Sequence, residues 1–151
     1  MAVTYQQESF ISVENDVMKL AEIHYNEVAQ FKDYPLNIDF NVYKNLDIAG
    51  ITSIYTIRDE LNLVGYSIYI TSKNPHYQFI QACSDSLFIH PDYRKKNHGK
   101  KFLKYCESQL IKNGVEFIYT HSTTRLDITS FLKKCGYVES EITLVKRLKN
   151  G

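Results

Sequence analysis

At 151 residues, with 44% hydrophobic and 23% charged side chains, the chain is long enough for one domain with a real core and too short for two ordinary ones. This composition excludes disordered, collagen-like and fibrous readings. The net charge of +1 conceals a split: residues 1–93 hold five Lys/Arg against twelve Asp/Glu, and residues 94–151 hold thirteen against five. An excess of that size points to an anion handled after residue 93. Cys83, Cys106 and Cys135 are odd in number, far apart and without zinc-site spacing, so they read as free thiols in a reducing cytoplasm, with no metal. No apolar run nears the roughly 20 residues of a membrane span. Met1–Gln6 lacks a signal-peptide layout, and the expectation is a cytoplasmic protein with no membrane partner.

With no internal repeat, low-complexity tract or Gly/Ser linker, residues 1–151 are read as a single domain. After a polar start, Val17, Leu20, Ala21, His24, Val28 and Phe31 fall at helical spacing. Asn15 is placed to cap that helix and Pro35 to follow it. A shorter helix is predicted at about 39–48. Ile51 to Ile57 and Leu63 to Ile70 read as strands joined through Asp59-Glu60-Leu61-Asn62. A third strand is predicted from Phe79 to Ile89, stopped by Pro91. A helix follows over 98–112, with Phe102, Leu103, Cys106 and Leu110 inward and Asn113-Gly114 closing it. Val115 to His121 is predicted as a strand, 126–135 as a helix ending at Gly136, and Tyr137 to Leu148 as a last strand or hairpin arm. The resulting order is an antiparallel meander followed by a β-α-β crossover: an α/β mixed sheet with helices on both faces.

The chemistry is concentrated in residues 86–101. A buried strand runs into the short polar loop His90-Pro91-Asp92-Tyr93-Arg94-Lys95-Lys96-Asn97, and the loop opens a helix at His98-Gly99-Lys100-Lys101. Amides at a helix start lack intrahelical partners and lie at the positive end of the macrodipole, which suits a phosphate. Asn97 tolerates a left-handed backbone and Gly99 allows close approach. Six of the eighteen Lys/Arg lie in residues 94–104. Lysines there oppose the macrodipole, a conflict that an anionic ligand resolves; the plain alternative is a solvated basic first turn.

His90 to Leu103 resembles the acetyl-CoA motif of the GNAT N-acetyltransferases, Arg/Gln-x-x-Gly-x-Gly/Ala, with Arg94 at its first position, Asn97 in place of the first glycine and Gly99 at the last. Phe131-Leu132-Lys133-Lys134-Cys135-Gly136-Tyr137 resembles the family's late Phe-Tyr-x-Lys-x-Gly-Phe signature, and the element order agrees with the family from about residue 14 to 148. Three further runs, His24–Ala29, Asn74–Tyr77 and Ser84–Phe88, resemble members encoded by tailed bacteriophages, which implies a host-cytoplasm setting. The likeness implies the GNAT fold and transfer of an acetyl group from acetyl-CoA, as cosubstrate, to a primary amine by direct attack. It implies that backbone groups of Leu87, Phe88 and Ile89 pair with the pantetheine arm. It further implies that amides from Arg94 through Lys95, Lys96, Asn97, His98, Gly99 and Lys100 to Lys101 hold the pyrophosphate.

Acid and base are less directly marked. The family's usual tyrosine falls at Leu132, so Tyr119, Tyr137 or bulk water is expected to replace it, and the family's frequent asparagine falls near Arg125. Asp85 interrupts an uncharged strand and is the favoured base, the alternative being a carboxylate satisfied by hydroxyl partners. His121 ends the next strand in phase with Phe117 and Tyr119 and suits proton transfer. His24 lies on an apolar stripe, as a packed histidine or an acceptor contact; His76 and Tyr77 are placed in a substrate-facing loop. The acidic first 93 residues suit a cationic acceptor, and a homodimer is possible for the family. Two alternatives stay open: a catalytically weak binding module, and a phage-type modifier of DNA or of a host defence protein. Nucleic acid is not expected as a partner, because arginine clusters and a reader motif are missing.

Overall fold

The computed structural model describes residues 2–149. Its elements are β1 (Val3–Glu8), α1 (Phe10–Val28), α2 (Phe40–Ile48), β2 (Thr52–Asp59), β3 (Asn62–Lys73), β4 (Ile80–Ile89), a 3-10 turn (Pro91–Tyr93), α3 (His98–Lys112), β5 (Phe117–Tyr119) and α4 (Thr129–Lys134). The five strands lie in sequence order. The first three neighbour pairs are antiparallel, and β5 joins β4 in parallel across α3. This is the mixed α/β sheet expected.

Strand alternation sends side chains to two cores. Ile54, Tyr66, Ile68 and Phe88 pack under α1 and α2, against Phe10, Val13, Val17, Leu20 and Phe40. On the other face Tyr55, Ile57, Val64, Tyr69 and Ala82 meet Phe102, Cys106 and Leu110 of α3. The helices therefore clamp β3 and β4 from both sides, and β4 is the strand that carries the site.

Several boundaries differ from expectation. The stripe of α1 extends back to Phe10 and Val13, both fully buried. Ser9, not Asn15, caps the helix, accepting from Ser12 N at 3.3 Å, and Asp47 of α2 accepts from Phe10 N at 3.1 Å. The polar start is itself an edge strand. Glu8 is held there by the Arg58 guanidinium of β2 at 3.0 Å, which keeps its carboxyl below the usual carboxylate range even though burial opposes this. By contrast α3 runs over the predicted residues, with left-handed Asn97 before it and left-handed Gly114 after it.

The expected strand at 115–121 shrinks to Phe117–Tyr119, because Val115 tucks beneath α3 and the chain turns away from β4 beyond Tyr119. Tyr137–Leu148 forms no strand. It pairs with neither β5 nor any other strand among the described residues, and Ile142, Leu144 and Leu148 are each 88% exposed. The segment is held instead through Arg147, which donates to Asp33 at 2.7 and 2.9 Å and lies 5.3 Å from the Phe31 and Tyr34 rings.

Gly65 of β3 marks where the sheet is tightest beside the site. A Cβ there would sit 3.0 Å from the Phe88 carbonyl oxygen and 3.0 Å from Ile57 Cδ1. Gly65→Ala is expected to destabilise the protein by ~1–3 kcal/mol through overpacking, read as a lower urea midpoint with an unchanged m-value.

Candidate active site

β4 and β5 pair at only three positions, Gln81 with Phe117, Ala82 with Ile118 and Cys83 with Tyr119. Beyond Cys83 the strands separate, while β4 continues along β3 to Ile89. His90 N–H donates to Val64 O at 2.8 Å. The alternation of an antiparallel ladder then turns the backbone groups of Phe88 toward β3 and those of Leu87 and Ile89 toward the opening. At the closed end Tyr69 pairs with Ser84 and Ile68 with Ser86, so Asp85 is the extra residue of a β-bulge. A cavity of about 410 Å³ fills the opening. β4 from Ser84 to Ile89 forms its floor, His24, Glu27 and Val28 of α1 one wall, and His121, Thr123, Leu126, Ile128 and Phe131 the other.

The loop between β4 and α3 closes one end of this cavity. Lys96 and Asn97 are both left-handed, at φ 60° and 61°, a strain accepted at two successive residues to turn amides inward. Arg94 N–H is spent on Pro91 O (3.2 Å), His98 N–H on Lys95 O (3.4 Å) and Lys101 N–H on Asn97 O (3.0 Å). The amides of Lys95, Lys96, Asn97, Gly99 and Lys100 have no acceptor among the described residues. The first turn of α3 contains no acidic side chain. Lys95, Lys96, Lys100, Lys101 and Lys104 are exposed and form no ion pair among the described residues. The donor set, free amides at a helix start ringed by uncommitted lysines, matches a diphosphate.

Arg94, His98 and Lys101 depart from expectation, because their amides are already bonded within the loop and the first turn of α3. Arg94 is committed through Nε to Ile89 O at 2.8 Å and through its terminal nitrogen to both Glu27 carboxylate oxygens at 2.9 and 2.6 Å. It therefore ties α1 to the end of β4, with neither its amide nor its guanidinium turned to the loop. Gly99 needs no positive φ; its missing Cβ leaves room for the Phe131 ring, whose Cζ would stand 3.1 Å from that carbon. His98 turns its ring toward β1, with Nδ1 3.4 Å from the Tyr5 hydroxyl.

Besides the paired Glu27 and Arg94, three titratable side chains line the cavity: Asp85, His24 and His121. Asp85 Oδ2 accepts from the Tyr43 hydroxyl at 2.9 Å and from Ser86 Oγ at 3.0 Å, and burial together with that carboxylate raises the Tyr43 phenol well above its ordinary value. His24 Nδ1 lies 2.9 Å from the Tyr66 hydroxyl, and its ring stacks on Phe88 with centroids 5.0 Å apart. Burial lowers the His24 imidazole, with Glu27 and Asp85 opposing and Arg94 and His121 reinforcing. His121 is exposed at the rim.

The remaining expected residues lie elsewhere. Tyr119 pairs with Cys83 where the opening closes and is not part of the cavity lining. Tyr137 donates to Glu107 at 3.3 Å, outside the cavity, and Leu132, at the family's tyrosine position, is buried. His76 and Tyr77 sit exposed on the β3–β4 turn, where Asn74 Oδ1 accepts from both of their amides at 2.9 and 3.1 Å; the structure does not bring them to the cavity. Sequence reasoning missed Glu27, Tyr43, Tyr66 and the lining residue Phe131. Only Phe131 carried a signal, through the late signature. Among the described residues no group of three His, Cys, Asp or Glu could hold a metal, and no helix is long and apolar enough to cross a membrane.

Known proteins share this architecture. An aminoglycoside acetyltransferase from an uncultured soil metagenomic sample, solved in complex with sisomicin, superposes with a TM-score of 0.75 at 12% identity over 97% of both chains. A ribosomal-protein-alanine N-acetyltransferase from Brucella melitensis biovar Abortus 2308 gives 0.76 at 14% identity, over 98% of this chain and 100% of that one. A predicted acetyltransferase from Clostridium acetobutylicum, solved with acetyl-CoA, gives 0.76 at 12% over 97% of both. At these identities the likeness is one of fold. No curated protein matches the chain in sequence. The family model described as an acetyltransferase (GNAT) domain matches residues 51–139, more than half of the chain and the whole of β2 to α4. This chain, with its separated strands and its amide-lined loop, belongs to the GNAT acetyltransferase family.

Proposed function

We propose that the protein transfers an acetyl group from acetyl-CoA to a primary amine. The observation that carries this reading is the separation of β4 from β5, which leads directly into a loop of uncommitted amides. On this reading the amides of Lys95, Lys96, Asn97, Gly99 and Lys100 hold the diphosphate, and the outward groups of Leu87 together with the Ile89 N–H, whose carbonyl Arg94 already holds, pair with the pantetheine arm. Lys100 and Lys101, in the first turn of α3, sit where a further phosphate is neutralised. The strands meet again at Cys83 and Tyr119, so the thioester comes to rest beside the Asp85 bulge. Backbone amides at a strand break of this kind stabilise a developing oxyanion.

The acceptor enters from the α1 side. Asp85 presents a carboxylate to the incoming ammonium, His24 contacts the acceptor, and His121 with Tyr119 stands near the closed end, where a departing thiolate takes up a proton. His76 and Tyr77, distant from the cavity lining, serve an acceptor only if it reaches the β3–β4 turn, as a polypeptide does. The acidic character of residues 1–93 supports a cationic acceptor. The likeness of three short runs to tailed-phage members supports a phage-encoded protein at work in a host cytoplasm, and the exposed Ile142, Leu144 and Leu148 are compatible with a homodimer. One observation favours the weaker alternative of a binding module: the family's usual acid position, Leu132, is apolar and buried.

Isothermal titration is expected to give acetyl-CoA binding with a sub-millimolar Kd, weakened by about tenfold or more in a Lys100→Glu, Lys101→Glu double variant. Thiol release should be measured across a panel of an aminoglycoside, a peptide with a free N-terminal alanine, a lysine peptide and a polyamine. An enzyme turns over at least one of these, and Asp85→Asn then lowers kcat/KM by about 10- to 100-fold with little change in acetyl-CoA affinity. A binding module holds acetyl-CoA and releases thiol with none.

A further inference from the structure

Resting on the acetyltransferase reading, we infer that His24, positioned by Tyr66, is the group that takes the proton from the acceptor amine. A base for this step must lie in the cavity, keep a fixed orientation and leave one basic atom free. His24 meets all three conditions. It projects from the inner stripe of α1 into the cavity wall. Its ring plane is fixed by stacking on Phe88, the residue between the two whose backbone groups face the opening. Nδ1 is engaged by the Tyr66 hydroxyl at 2.9 Å, and Nε2 has no partner among the described residues.

Tyr66 suits the role because its hydroxyl, on a side chain only 3% exposed, has no other hydrogen bond among the described residues. It can accept from Nδ1–H in the tautomer whose Nε2 carries a lone pair, and it still accepts when the ring is charged. The other two candidates are less well prepared. Asp85 is oriented through Oδ2 by Tyr43 and Ser86 and leaves Oδ1 open, but a carboxylate is intrinsically a weaker base than an imidazole, and exposed His121 makes no hydrogen bond among the described residues to orient it.

The charges around His24 are Glu27 from its own helix, Arg94 from the loop, Asp85 from β4 and His121 beyond β5, with Tyr66 from β3. Glu27 and Arg94 pair with each other at 2.6 Å and largely cancel. Burial then dominates and keeps the imidazole neutral at neutral pH, the form that accepts a proton. In the step, Nε2 takes one proton from the ammonium and the freed lone pair attacks the thioester carbonyl carbon. As the C–N bond forms and the C–S bond breaks, the second amine proton goes to the departing thiolate. His24 returns the first proton to solvent.

The test joins a binding-independent readout to a kinetic one. The Cε1–H resonance of His24, assigned by its loss in His24→Gln, is expected to titrate below the ordinary histidine value of 6.5, with a midpoint that moves in Tyr66→Phe. Thiol release from acetyl-CoA is followed against pH with the best acceptor of the panel, or with water where no amine reacts. kcat/KM should fall on the acid side at the same midpoint. His24→Gln should lose about 100-fold or more at neutral pH and abolish that limb, while Tyr66→Phe loses about tenfold and shifts it. Acetyl-CoA affinity by calorimetry should stay within about threefold in both, which separates proton transfer from a collapsed cavity. An acid limb that survives in His24→Gln, or a loss no larger than that seen in binding, would overturn the assignment. If the wild-type protein fails to bind acetyl-CoA, the acetyltransferase reading fails first and the assignment falls with it.

Discussion

A strand in the middle of a sheet normally has every backbone donor and acceptor paired, and leaving such groups dry costs on the order of 1–3 kcal/mol each. β4 keeps its pairing with β3 through Ile89 but loses β5 after Cys83. The rest of the structure follows from that break. It opens a 410 Å³ cavity in the sheet, and it leaves the outward groups of Leu87 and the Ile89 N–H without a strand partner along it. It also sets the Asp85 bulge at the closed end of the opening. The two cores on either face of the sheet hold β3 and β4 rigid enough for the break to persist.

Charge is arranged around this opening in two ways. The lysines at the start of α3 stand unpaired among the described residues in a position that the helix macrodipole disfavours, a conflict that a bound anion would relieve. Arg94 is drawn the other way, into a bidentate pair with Glu27 and a bond to the Ile89 carbonyl. It thereby fixes α1, and with it His24, against the end of β4. The near-zero net charge of the chain thus conceals one local cluster of unpaired lysines and one structural ion pair a few residues apart.

Much of the fold was readable in the sequence where local chemistry decides it. α3 has an asparagine suited to a left-handed residue before it and a glycine after it, and its predicted span matches the observed one. The left-handed backbone at Asn97 in the preceding loop was readable for the same reason, because it depends on local residue chemistry. Features that depend on distant partners were not. β1 has too few apolar residues to show as a strand and exists by pairing with β2. Tyr137–Leu148 has a strand's pattern but pairs with no strand among the described residues, although the outer edge of β5 is open. Within the site, Glu27 lies 67 positions from Arg94, Tyr66 lies 42 from His24 and Tyr43 lies 42 from Asp85. Alternation within a strand gives no hint that the Tyr66 hydroxyl ends on a helix histidine.

The central claim is that the unpaired groups of β4 and the free amides of the following loop are one continuous binding edge. Amide chemical-shift mapping of the full chain titrated with acetyl-CoA tests it most directly. The account predicts the largest shifts at Leu87 and Ile89 and at Lys95, Lys96, Asn97, Gly99 and Lys100, with Phe88 and Arg94 much less affected because their amides are already bonded. Shifts confined to exposed lysines elsewhere, or no saturable shift at millimolar acetyl-CoA, would contradict it.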